Sequence, residues 1–295
     1  MHHLLTDRPA RHRTVAVDGV ELFVREAGDP GRPAVVLLPG HPSGSHAYAG
    51  LIDRLAGSWH VVAPDYPGYG GSPVPAEPPT FDRLAELTAR LLDQLGVNRY
   101  VLYMFDFGAP VGMRIAVAHP ERIAGLVSQN GNIALEGLGE PLGPLAAWWA
   151  DRAAGQATVD GFLSADGTRM QWAAGLRDPE SLDPRLVEHD VELLADPGRR
   201  AVAEALLWDY RTNPAQYPDW QAWLAQHRPP TLAVWGSRDP FFVPAGAESW
   251  RHAGSDSEVV LLDTGHFALV EEVDAVAAHV HDLLTRAYRS PRALM

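Results

Sequence analysis

Between residues 14 and 128, short apolar runs alternate with amphipathic stretches, so strand and helix are predicted in turn. Residues 14–17 and 20–25 alternate apolar and polar positions on either side of Asp18-Gly19, the pattern of a hairpin. Pro33-Ala-Val-Val-Leu-Leu38 is a continuous apolar strand that ends at Pro39-Gly-His-Pro42. Residues 48–55 read as helix, and 60–64 as the next strand, followed by Asp65-Tyr-Pro-Gly-Tyr-Gly-Gly-Ser72. Residues 81–95 carry apolar side chains at helical spacing and stop at Gly96. A buried strand over 99–105 is followed by a helix over 108–119, with Pro110 in its first turn and Pro120 past its end. Residues 123–128 form another buried strand.

From about residue 132 to 228 the pattern changes. Strand signals vanish, helical segments shorten, and Trp148, Trp149, Trp172, Trp208, Trp220 and Trp223 crowd in. After Pro229-Pro230 the alternation returns with strands at 231–235 and 258–262 and a helix from about Val273. The expected fold class is therefore α/β, a doubly wound, mostly parallel sheet with an inserted helical cap. Residues 1–131 and 229–295 make one core, and 132–228 make the cap over the carboxyl ends of the strands, where open sheets of this kind bind their ligands.

Composition narrows the function. A chain of 295 residues with 46% hydrophobic content fills one large core plus an insertion. The net charge of −13 argues against nucleic acid or an anionic membrane as partner. With no cysteine, thiol catalysis and disulfides are excluded. The N-terminus, residues 1–9, lacks the apolar segment of a leader, and no run approaches the length of a membrane span. A cytoplasmic monomer or homodimer is expected, with water and a bulky hydrophobic or aromatic, even polycyclic, small-molecule substrate as its partners.

The chemistry centres on Met104-Phe-Asp-Phe-Gly-Ala109, an aspartate between a buried strand and a helix. The sharp turn of such an elbow needs small residues after the nucleophile, and Gly108 and Ala109 supply them. No Gly-x-Ser-x-Gly occurs in the chain, so an elbow nucleophile here is Asp106. An aspartate in this place also suits a helix N-cap. Ser72 lacks an elbow and reads as loop structure.

Four landmarks in order carry a family resemblance: Pro39-Gly-His-Pro42, Asp65 to Ser72, the Asp106 elbow, and Trp235-Gly-Ser-Arg-Asp239 with Asp263-Thr-Gly-His266. From about Val15 to Leu284 the chain resembles an α/β-hydrolase of the epoxide hydrolase and haloalkane dehalogenase branch, which uses an aspartate nucleophile. The resemblance implies Asp106 as nucleophile, His266 as base and Asp239 as its acid partner. Asn130 marks the other place where this branch carries its acid, but asparagine cannot take the charge. The oxyanion hole would come from the backbone N–H groups of His41 and Phe107. The His41 side chain either points into the pocket or packs beneath the cap.

Dehalogenases of this branch usually place tryptophan after the nucleophile to hold the halide; Phe107 has no donor. Epoxide hydrolases usually carry two cap tyrosines to protonate the opening oxygen. The late one matches Tyr217, with Tyr210 in reserve, while the early one falls at Trp148-Trp149. Trp148 and Trp149 diverge on a helix, so one of them is expected to bind substrate. The expected reaction is epoxide opening to a diol through an Asp106 ester, with no metal or organic cofactor required. The alternatives are a haloalkane or haloacid dehalogenase and a non-catalytic small-molecule receptor.

Overall fold

Branched and aromatic residues flanked by proline and glycine form eight strands among the described residues, and both faces of most of them are buried. The computed structural model describes residues 10–253 and 257–289. The N-terminal stretch 1–9 read above for a leader lies outside the described residues. The strands are β1 (Arg11–Val17), β2 (Val20–Ala27), β3 (Ala34–Leu38), β4 (His60–Pro64), β5 (Tyr100–Phe105), β6 (Ile123–Gln129), β7 (Thr231–Gly236) and β8 (Ser257–Leu262). They lie in the order β1-β2-β4-β3-β5-β6-β7-β8. The hairpin β1–β2 and its join to β4 are antiparallel; every other pair is parallel.

Parallel neighbours need crossovers, and helices supply them on both faces. The first three are α1 (Ala49–Leu55), α2 (Phe81–Gln94) and α3 (Gly108–Ala118). One apolar layer packs α2 and α3 against the sheet; the other packs α1 and the final helix against its opposite face.

Between β6 and β7 the chain leaves the sheet for six helices: α4 (Gly143–Ala150), α5 (Arg152–Phe162), α6 (Ala165–Ala173), α7 (Pro184–Leu194), α8 (Pro197–Asp209) and α9 (Tyr217–His227). Several carry their own start signal. Asp151, Ser164, Asp183 and Asp196 each cap a following helix through a side-chain oxygen, satisfying N–H groups that a short helix leaves open. The chain then returns through β7, α10 (Pro244–His252) and β8 to α11 (Leu269–Arg289). That last run is broken at Glu272, whose φ of −122° is not helical. Its long regular part therefore begins near Val273, where the apolar spacing placed it. No helix among the described residues is long and apolar enough to cross a membrane.

Candidate active site

Asp106 follows the last residue of β5 and precedes α3, and its backbone lies in the left-handed region at φ 50°. A non-glycine residue there stores about 1–3 kcal/mol of strain, which the surrounding packing must hold. Gly40 crosses so close beneath it that a Cβ at that position would meet the Asp106 Cβ at 2.3 Å. Met104, larger than such elbows usually tolerate, fits because Gly112 on α3 leaves room for its sulfur. The turn presents the Asp106 carboxylate at the carboxyl edge of the sheet, buried but facing a cavity.

The two oxygens of that carboxylate have different surroundings. Oδ1 accepts the His41 N–H at 2.6 Å, and the Phe107 N–H also donates to the carboxylate. Oδ2 lies 3.8 Å from His266 Nε2, beyond hydrogen-bond reach. Burial raises the Asp106 carboxyl to about 6, against the His266 charge and the two backbone N–H groups, which lower it.

His266 sits in the loop between β8 and α11, and its Nδ1 lies 2.7 Å from Asp239 Oδ2. Burial opposes a charge on the ring, but the Asp239 charge and hydrogen bond, with Asp106 behind, outweigh it and raise its pKa. Asp239, in the loop after β7, also accepts the Phe241 N–H at 2.8 Å on its other oxygen. Its Oδ2 takes a second donor, Asn130 Nδ2, at 2.7 Å. Asn130 closes β6 at φ 45°, and its Oδ1 accepts the Gly236 N–H. In sequence it looked like a vacant acid position; in the fold it holds the Asp239 carboxylate in the loop after the neighbouring strand.

The loop that carries His266 is tied to the helical insertion. The His266 N–H donates to the Ala174 carbonyl at 3.0 Å. The Glu271 carboxylate accepts the N–H groups of Arg177 and Asp178 and the Thr264 hydroxyl.

A cavity lies above Asp106, with open space of about 440 Å³ including its mouth. The sheet side supplies His41, Asp106, Phe107, Phe241, Phe242 and His266, and the insertion supplies Leu142, Leu145, Trp149, Phe162, Gln171, Leu207 and Tyr210. The His41 ring does both things considered for it. It lines the cavity and stacks on Phe162 with centroids 5.7 Å apart. Its Nδ1 meets the Tyr69 hydroxyl at 3.0 Å, and its Nε2 has no partner. Burial, with the His266 charge, pushes it down to about 3, so the ring is neutral.

The insertion differs from the sequence reading at two places. Tyr217 is not on the cavity wall. It begins α9 one layer back, with its hydroxyl 3.5 Å from that of Tyr210, which does line the cavity. Trp148 is also turned away, fully buried against Trp208, because its neighbour Trp149 takes the inward face of α4. The Trp149 N–H is engaged by the Leu207 carbonyl at 2.9 Å, and its ring stacks on Tyr210. It is a wall, not a donor. Phe162, Gln171, Phe241 and Phe242 were not read as site residues; single aromatics in loops and helix ends carry no local signal of where they point. Ser72 has a structural part, accepting the Phe23 N–H and donating to the Asp65 carbonyl.

Residues 33–273 match a family model described as the alpha/beta hydrolase fold. An uncharacterized hydrolase of Saccharomyces cerevisiae is 37% identical over 275 residues, covering 91% of this chain and 95% of its own. Haloalkane dehalogenase 1 of Mycobacterium tuberculosis is 32% identical over 237 residues, 75% of this chain and 72% of that protein. Epoxide hydrolase A of the same organism is 39% identical over 119 residues, 39% of this chain and 37% of that one.

Proposed function

Since the chain belongs to the α/β-hydrolase fold family, we propose that it hydrolyses an epoxide on a hydrophobic substrate through an ester at Asp106. One observation carries the reading. The elbow residue is a carboxylate that accepts two backbone N–H groups, that of His41 on Oδ1, while Oδ2 lies 3.8 Å from His266 at the cavity.

In the first step Oδ2 attacks an epoxide carbon, the carbon–oxygen bond breaks, and the oxygen takes a proton from Tyr210, with Tyr217 behind it. Asp106 is now an ester whose carbonyl oxygen is Oδ1. In the second step His266 removes a proton from water, and the hydroxide attacks the ester carbonyl carbon. The negative charge grows on Oδ1, which already accepts the His41 N–H, with the Phe107 N–H directed at the same carboxylate. Collapse frees the diol and the Asp106 carboxylate, and the proton on His266 returns to the phenol through solvent. The sum is epoxide plus water giving diol.

Esterification also prepares the base. The Asp106 charge is one of the forces that raise His266. Forming the ester removes it, so His266 gives up its proton more easily at the step that needs a free base. In this reading the helices from 132 to 228 form the cap of the pocket, and the whole acts without a metal or organic cofactor in the chemical steps.

The Mycobacterium tuberculosis dehalogenase relative makes a haloalkane substrate the nearest rival. Two features count against it. Phe107 has no donor, and the N–H of Trp149, the one tryptophan on the cavity wall, is taken by Leu207. A receptor role gains nothing from a nucleophile and base set side by side.

His266→Gln should keep the first step and stall the second. Incubated with an aryl epoxide, the variant should gain the mass of the substrate on the peptide carrying Asp106, by intact-protein and peptide mass spectrometry. An adduct elsewhere, or halide release without a diol from the wild type, would overturn the reading.

A further inference from the structure

Away from the cavity, where α7 meets the core, His46, His189 and Asp190 converge. One nitrogen of each imidazole and one carboxylate oxygen lie within 4.8 Å of one another. Among the described residues no other three histidine or carboxylate side chains share this spacing. His46 belongs to the short turn Ser45–Tyr48 that follows the His41 loop; His189 and Asp190 belong to α7. The cluster therefore joins the sheet side of the molecule to its helical insertion.

Asp190 is fully buried, and its two oxygens differ. Oδ2 accepts the Trp172 indole N–H at 3.0 Å, which fixes the carboxylate plane. Oδ1 lies 3.2 Å from His46 Nε2, yet no hydrogen bond reaches it. A buried carboxylate oxygen left without a donor is costly, so this arrangement calls for a positive partner. The two atoms stand side by side without a hydrogen bond between them, the relation of two ligands on one edge of a coordination polyhedron. With metal–ligand bonds of about 2.0–2.1 Å, a tetrahedral edge is about 3.3–3.4 Å long. The rings of His46 and His189 meet edge to face at 4.6 Å. The other contact of His46 Nε2, to Ser43 Oγ, is a long 3.4 Å. Of the charges around the cluster, Asp65 favours a cation there and Arg25 opposes it.

We propose that His46, His189 and Asp190 bind one divalent transition-metal ion of the zinc class, with water completing its shell on the exposed His189 side. Two imidazoles and a carboxylate suit zinc, cobalt, nickel or copper and are poor ligands for magnesium or calcium. The Trp172 N–H orients the ligating carboxylate, as second partners of metal ligands do. The ion takes no part in the reaction. It clamps α7 to the turn that follows the oxyanion loop.

His189→Ala tests the site, because His189 is exposed and contributes nothing to the core. Chelator-treated wild type and variant are dialysed against Zn²⁺ alone and the bound zinc is counted. The wild type should hold one equivalent more than the variant, and zinc should raise the thermal midpoint of the wild type only. Zinc taken up by His2 and His3 would appear equally in both proteins and leave the difference intact. Equal zinc content in the two, zero in both included, overturns the site. So does Mg²⁺ at the same concentration producing the same stabilisation as zinc.

Discussion

The two walls of the cavity are built by different means. On the sheet side, reactive groups hang from backbone turns, and their polar atoms are aligned by hydrogen bonds: Asp106 at φ 50°, Asn130 at φ 45°, Asp239 with donors on both oxygens. On the insertion side, rings are held by other rings. Tyr210 stacks on Trp149, Trp148 meets Trp208 edge on, and the lining is mostly apolar. Hydrogen bonds fix direction sharply, whereas apolar packing fixes volume and tolerates small changes of shape. In the proposed reaction, chemistry sits mainly on the rigid wall and recognition on the adaptable one. Substitutions on the sheet side should therefore cost more rate than those opposite.

The sharpest break of that contrast is at the acid. Asp239→Asn should lower turnover by on the order of 10⁴, because the imidazole loses its orienting charge and its tautomer. Steady-state rates on one epoxide measure this, and survival within about tenfold would mean that the sheet wall is less committed than its geometry implies. Next comes the oxygen donor on the opposite wall. Tyr210→Phe should cost roughly 10²–10³ in rate, comparable to losing one oxyanion donor. Tyr217→Phe should cost less, since that phenol acts only through Tyr210. If the order of the two is reversed in the same assay, the cavity rearranges on binding.

A smaller effect comes from pH. With Asp106 raised to about 6, the ionised nucleophile is lost as the pH falls through that value. In His266→Gln the histidine charge that holds this carboxyl down is gone, so single-turnover ester formation should begin to fall at a pH above 6 and then drop about tenfold per unit. A flat profile down to pH 4 would contradict the burial of that carboxyl. Smallest of all, Trp149→Phe should shift KM or product ratio by a few fold, with little change in stability. Trp148→Phe should do the opposite, lowering stability by on the order of 1–2 kcal/mol while leaving rates alone. Thermal melts beside kinetics separate the pair.

The same division decides what could be read from the sequence. Strands β3, β5 and β6 fell within a residue or so of the apolar runs that suggested them, and β5 delivers Asp106 at its end. These are local features: a buried run, a turn, a glycine. Asn130 was rightly set aside as an acid, but its bond to Asp239 was hidden, because that partner lies in a loop more than a hundred residues later. Tyr217 was favoured over Tyr210 because it matches the late cap tyrosine of the family, and a seven-residue offset cannot reveal which phenol the junction of α8 and α9 turns inward. Trp148 and Trp149 were properly expected to diverge, but only helix packing decides that Trp149 faces in and spends its N–H on Leu207. Packing of short helices is a property of the whole insertion, and no window of sequence contains it.

The backbone stitching between the His266 loop and residues 174–178 bears on how substrate gets in. An insertion that lifted away as one body would have to break the His266–Ala174 bond and both N–H bonds to Glu271. It would also leave the base without its support at each opening. Rotation of the Leu142 and Leu207 side chains at the cavity mouth asks for no such loss. Substrate entering by that flank would leave the side beside His266 shut, and the speed of exchange would be set by leucine rotation, not by domain movement.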